Sequence, residues 1–343
     1  MANSLIGRDM AVDLGTANTL VYVRGRGVVL DEPSVVAVNE STGEVLAVGH
    51  EAKQMTGRTP GPISVVRPLR DGVIADFEAT EQMLRFFIAQ IHRRRYLAKP
   101  RLVICVPSGI TAVEQRAVKE VGYLAGARRV SVIEEPMAAA IGAGLPVHEA
   151  TGNMIVDIGG GTTEVAVISL GGIVASTSVR TAGDDLDQAI LGWFKKEHSL
   201  MLGESTAEQL KIAVGSAWPR LAEPDADVRG RDLVSGLPRT VVVSSAEVRR
   251  ALDDPLNAIV DAVRETLDQT PPELVGDIVD RGMVVTGGGA LLAGLGERLG
   301  DETGMPVHVA DHPLTSVVVG AGRCVEEYDA LQQVLVADRR RSA

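Results

Sequence analysis

A single pattern, written twice, limits what this chain can become. Residues 154–168 read MIVDIGGGTTEVAVI: an apolar run ends at Asp157, three glycines and two threonines follow, and a second apolar run resumes. That is a strand, a tight turn and a strand, a β-hairpin whose tip carries almost no side chains. Residues 13–23, DLGTANTLVYV, match residues 157–167, DIGGGTTEVAV, in type at nearly every position, at an offset of 144 residues (157 − 13). A bare tip lets backbone N–H groups cradle an anion such as phosphate. An aspartate at each strand end, Asp13 and Asp157, suits a hydrated Mg²⁺ beside it. Two such hairpins facing each other would clamp one nucleotide's phosphates from both sides, and repetition at this spacing implies two related halves.

At 343 residues, two domains are expected. Only 3% of residues are aromatic, so the core rests on Val, Ile, Leu and Ala, which suits buried sheets flanked by helices. A formal charge of −11 argues against a nucleic-acid surface. The two cysteines, Cys105 and Cys324, form no CxxC pattern, and the six histidines show no metal spacing. The N-terminus lacks a signal-peptide core, and no apolar run approaches about 18 residues, so a soluble cytoplasmic chain is expected.

Along the chain, helical spacing runs from Thr80 to Ile91, and HRRRYLAKPR follows. This basic segment admits two readings. It is a solvated cap on a helix C-terminus, where cations suit the dipole. Alternatively Arg93, Arg94 and Arg95 lie on lipid headgroups while Tyr96 and Leu97 insert. Strand 102–107 leads to a helix opened by Ser108 or Thr111. Glu135 and Pro136 introduce a helix of almost pure Ala and Gly. Its small residues permit close approach to a crossing element, for which VGAG at residues 319–322 is the candidate, and such a crossing would serve as a hinge. Glu208 and Lys211 stand one turn apart, by themselves no more than a surface ion pair. Gly287, Gly288 and Gly289 leave room for a flat group against bare backbone. Residues 216–240 read as loops with an edge ribbon. No P-loop and no nucleophile elbow occur.

Together DLGTANTLVYV, EEPMAAAIG, DIGGGTTEVAV and VVTGGGALL resemble the actin, chaperone and sugar-kinase ATPase superfamily. DEPSVVAV, RPLRDGVIADF, VPSGIT, AGDDLDQAI, RGRDLVSGLPRTV and VADHPLTSVVVGAG are similar, in order and spacing, to the MreB family of bacterial actin homologues over roughly residues 6–330. The resemblance implies an α/β, actin-like (ribonuclease H-like, duplicated) ATPase fold, with two domains of two subdomains each around a nucleotide cleft. It places one domain at residues 1–150, with an insertion at about 33–68 and residues 318–343 returning to it. The other covers 151–317, with a subdomain at about 184–245.

ATP and Mg²⁺ are the implied ligands. By the same resemblance Thr16, Ala17, Asn18, Gly159, Gly160, Gly161 and Thr162 hold phosphates, and Glu208 and Lys211 flank the nucleoside. Gly287, Gly288, Gly289, Ala290 and Leu291 line the adenosine, Asp13 and Asp157 hold the metal's water shell, and Glu135 orients the attacking water of a slow, polymerisation-coupled hydrolysis. The implied partners are other copies of the chain in filaments, the inner face of the cytoplasmic membrane through residues 93–98, and membrane-embedded wall-synthesis proteins. Asp311, His312 and Thr315 depart from the family's more acidic pattern, and MANSLIG shows no amphipathic helix. A chaperone-type ATPase would need a further substrate domain, and a sugar kinase an acidic base in a sugar pocket. A non-polymerising nucleotide switch is the remaining alternative.

Overall fold

The structure is a computed structural model describing residues 8–92, 99–329, 331 and 334–336. Two five-stranded mixed sheets carry it, each a three-strand antiparallel meander continued by two parallel strands. In the first, Gly27–Pro33, Asn18–Val23, Met10–Leu14, Arg101–Val106 and Arg129–Glu134 lie in that spatial order. In the second the order is Gly172–Val179, Thr163–Ser169, Asn153–Ile158, Met283–Thr286 and Val307–Val309. The repetition seen in the sequence extends to register. Met10 faces Val23 and Leu14 faces Thr19 in one hairpin, and Met154 faces Val167 and Ile158 faces Thr163 in the other. Every one of these pairs is related by the 144-residue offset.

Strands buried on both faces need uninterrupted apolar sequence. Asn153–Ile158 and Thr163–Ser169 meet that need, with every residue buried. Between the two sheets lies a shared apolar layer. Ala11, Val103, Cys105 and Ile133 contribute from one sheet, and Ile155, Ala166 and Ile168 from the other. The helices Glu135–Gly142 and Ser316–Glu326 fill the space between. They are in direct backbone contact: a Cβ on Gly142 would run into the Ser316 carbonyl, and one on Gly320 into that of Ala138. The Ala/Gly helix and the VGAG stretch are therefore partners, as their composition suggested. Both cysteines are buried and unbridged in this layer, which accords with the lack of any disulfide pattern.

Each half carries a small added sheet. Val36–Asn39, Glu44–Val48 and Ile63–Val66 form one, with the helix His50–Met55. Pro33 ends the strand Gly27–Pro33 and a separate strand begins at Val36, because proline cannot donate to a continuing ladder. Leu200–Met201, Asp225–Asp232 and Pro238–Ser244 form the other, so residues 216–240 contain a paired ribbon. Of the two candidate caps, Thr111 opens the helix Ala112–Leu124. Its hydroxyl accepts from Glu114 N at 3.3 Å while Glu114 Oε2 accepts from Thr111 N at 2.9 Å, a reciprocal capping box. The helix Phe77–Ile91 starts three residues before its expected position because Asp76 caps it, accepting from Ala79 N at 2.9 Å.

Candidate functional site

Both hairpin tips open into one cleft of about 650 Å³ between the halves. Among the residues singled out from the sequence, Asp13, Thr16, Ala17, Asn18, Glu135, Asp157, Gly159, Gly160, Gly161, Thr162, Glu208, Lys211, Gly287, Gly288, Gly289 and Leu291 all line it. Ala290 does not; its methyl is buried in the core beneath the second sheet. Arg93, Arg94, Arg95, Tyr96 and Leu97 lie outside the described residues.

The tips meet so closely that only glycine fits. A Cβ on Gly160 would lie 2.7 Å from that of Ala17, and one on Gly161 2.6 Å from Thr16 Oγ1. Thr16 Oγ1 in turn accepts from Gly72 N at 3.2 Å, so a third turn, 71–72, braces the pair. The N–H groups of Thr16, Ala17, Gly160 and Gly161 donate to no acceptor among the described residues. Amides left unpaired at adjoining tips form a concavity suited to an anion. The side chain of Asn18 is engaged elsewhere, donating to Asp31 Oδ1 at 2.7 Å.

Three carboxyls crowd the floor of the cleft. Burial pushes Asp13 up to about 7, with the Asp31 charge adding to it. Burial raises Asp157 to about 8, helped by Asp13 and Glu164. Glu135 is driven well above the usual range by burial first and then by Asp13, Glu164 and Asp157. No lysine or arginine among the described residues offsets the three. Such a cluster ionises readily only beside a cation. Among the described residues, no three His, Cys, Asp or Glu side chains converge closely enough to chelate one directly. The hard carboxylate oxygens of the cluster fit a cation such as Mg²⁺, which commonly keeps several of its waters.

Glu135 is the first residue of its helix, and the cap position belongs to Glu134, which makes no side-chain capping bond. The strand Arg129–Glu134 ends just before Glu135. Glu135 therefore enters the cleft from the helix start, with the chain direction fixed by Pro136.

Glu208 and Lys211 do not pair with each other. Lys211 Nζ is 2.9 Å from Asp187 Oδ1 and donates to Gly183 O at 2.8 Å. Glu208 reaches Lys53 of the other half. Of the three glycines at 287–289, two serve packing: a Cβ on Gly287 or Gly289 would strike Ile158, on the strand that carries Asp157. Only Gly288 offers open backbone, with Leu314 Cδ2 the nearest atom at 3.7 Å.

One buried residue escaped sequence reasoning. Glu164 is 1% exposed; it accepts from Ser108 N at 3.1 Å, from the Ser108 hydroxyl, and from Ser178 Oγ at 2.5 Å. It ties the phosphate-type hairpin of one half to the loop 107–111 of the other. A lone glutamate inside the apolar run TEVAVI was the available signal, since a buried charge demands partners.

Duplicated sheets, twin hairpins and a shared acidic cleft define an actin-like protein. The sequence model of the MreB/Mbl protein family matches residues 7–333. The cell shape-determining protein MreB of Escherichia coli (strain K12) is 55% identical over 330 residues, 95% of each chain. The cell shape-determining protein Mbl of Bacillus subtilis (strain 168) is 51% identical over 327 residues, 95% of this chain and 98% of its own. The crystal structure of MreB5 of Spiroplasma citri bound to ADP superposes with a TM-score of 0.90 at 39% identity, covering 96% of this chain and 98% of that one. The same protein is known bound to AMPPNP. The chain belongs to the MreB/Mbl family.

Proposed function

We propose that this chain is a cell shape-determining cytoskeletal protein that binds ATP with Mg²⁺ in the cleft and assembles with other copies into filaments. The observation that carries the reading is the meeting of two glycine-tipped hairpins, each with unpaired amides and an aspartate at its base. The amides of Thr16, Ala17, Gly160 and Gly161 hold the phosphates, and Gly288 and Leu291 lie under the adenosine. Asp13 and Asp157 hold the metal's water shell. Magnesium supplies positive charge that offsets the phosphates and the three buried carboxyls. Glu135 orients the attacking water from the start of its helix at the floor of the cleft. The relatives bound to ADP and AMPPNP support a nucleotide in the corresponding cleft.

Filaments are placed at the inner face of the cytoplasmic membrane, where they organise wall-synthesis proteins. No helix among the described residues is long and apolar enough to cross a bilayer, so contact is peripheral in this reading. Arg93, Arg94 and Arg95 attract anionic headgroups and Tyr96 and Leu97 insert. Within each chain, the halves rotate about the helices Glu135–Gly142 and Ser316–Glu326, which brings Glu135 into line on assembly. Sedimentation with Mg-ATP and anionic liposomes tests the whole: the chain pellets with both, whereas a non-polymerising nucleotide switch stays in the supernatant.

A further inference from the structure

Three large apolar side chains are exposed on the surface that flanks residues 93–98. Phe86, on the helix Phe77–Ile91, is 49% exposed, and Tyr123 and Leu124, ending the helix Ala112–Leu124, are 50% and 49% exposed. The two helix ends are joined there, with Arg85 Nη2 donating to Leu124 O at 3.0 Å. Phe86 stands five residues before Ile91, about 7.5 Å along the axis from where the chain enters segment 93–98. The chain leaves that segment through Lys99 and Pro100, and Pro100 O accepts from Arg128 N at 2.9 Å. The two hydrogen bonds therefore join the helix carrying Phe86 to the end of the helix carrying Tyr123 and Leu124, and the turn that follows it to Pro100.

The charge here departs from that of the chain. Lys99, Arg128 and Arg129 are exposed. Arg85 is paired with Glu81 at 2.5 Å, and Asp9 is shared by Arg101 at 2.7 Å and Arg128 at 3.1 Å. Arg101 and Arg129 lie 4.0 and 5.5 Å from the Tyr328 ring, so Glu327 and Asp329 on either side of it, with Glu120 on the Tyr123 helix, bring the carboxylates to five against five cations, and the surface lacks the net negative charge of the chain, −11.

We propose that Phe86, Tyr123 and Leu124 form a second lipid-contacting patch, seated at the headgroup–acyl boundary of an anionic bilayer, with Lys99, Arg128 and Arg129 against headgroup phosphates. The proposal rests on the membrane reading of residues 93–98 given above. Aromatic and aliphatic side chains beside cations match the chemistry of an anionic membrane surface. Three half-exposed side chains offer about 300 Å², well short of the roughly 800 Å² per partner that a stable protein interface buries. A second copy is accordingly the weaker occupant.

The test is co-sedimentation of the full chain with vesicles of phosphatidylcholine containing phosphatidylglycerol, comparing the wild type, a Tyr96→Ser/Leu97→Ser variant and a Phe86→Ser/Tyr123→Ser/Leu124→Ser variant. The triple variant is expected to lose at least about fivefold in bound fraction while pelleting normally with Mg-ATP in the absence of lipid. As a second readout, Tyr123→Trp should gain a blue-shifted emission on anionic vesicles, beyond any change in the wild type. Wild-type binding by the triple variant, with no blue shift, overturns the patch alone. Loss of lipid-free pelleting by the triple variant instead assigns the surface to a second copy. Failure of the wild type to bind the vesicles overturns the membrane reading and the patch together.

Discussion

The ammonium of Lys53 lies 3.0 Å from Glu208 Oε2 and 3.1 Å from Oε1, joining the insertion of the first half to a helix of the second across the cleft. Arg67 makes a parallel crossing, with Nη1 3.3 Å from both oxygens of Asp184. These pairs are a third or more exposed, so each contributes only about 0.2–1 kcal/mol after solvent screening. They act as a weak latch across the cleft.

Breaking the latch should loosen the cleft without harming the site. Lys53→Ala is expected to speed release of a fluorescent ATP analogue by about twofold to fivefold, in line with that range. Added salt should speed release from the wild type and narrow the difference between the two proteins. Stopped-flow release at two ionic strengths checks both points.

The buried carboxyls predict an unusual pH response. Asp13 near 7 and Asp157 near 8 stand well above the unfolded value of 3.8. Between those limits the folded chain keeps protons that the unfolded chain has released. Stability of the nucleotide-free protein therefore falls as pH rises from about 4 to about 8. A thermal scan should find Tm lower at pH 8.5 than at pH 6 by more than about 2 °C. Asp157→Asn, which removes the buried charge, should flatten the trend.

Much of this was legible in the sequence because it depended on short-range pattern. The two hairpins announced themselves through Asp and Gly at fixed offsets, and the Ala/Gly helix through its composition. What remained hidden depended on groups meeting from distant parts of the chain. Lys211 turned from its helical neighbour Glu208 to Asp187, a choice no local spacing encodes. Gly287 and Gly289 looked like open backbone, yet they are glycines because Ile158 occupies their space. The helix Pro272–Arg281 went unread although Leu274 and Ile278, one turn apart, face the core, because it is short and opens on two prolines that read as a loop.

Glu135 should govern hydrolysis and not binding. Glu135→Ala is expected to bind ATP and assemble, while releasing phosphate at least about tenfold more slowly, a barrier rise near 1.4 kcal/mol. The helix loses no capping bond in this variant, because Glu134 holds that position. A phosphate-release assay on preformed filaments reads the difference directly.

The central claim is that both hairpins clamp a single nucleotide. Isothermal titration of Mg-ATP into the wild type, Asp13→Asn, Asp157→Asn and the double variant tests it. The account predicts one site per chain, with weakened Mg²⁺-dependent affinity in each single variant. The double variant should lose less than the sum of the two, because both aspartates serve one water shell. Undiminished affinity in either single variant, or two sites per chain, would contradict it.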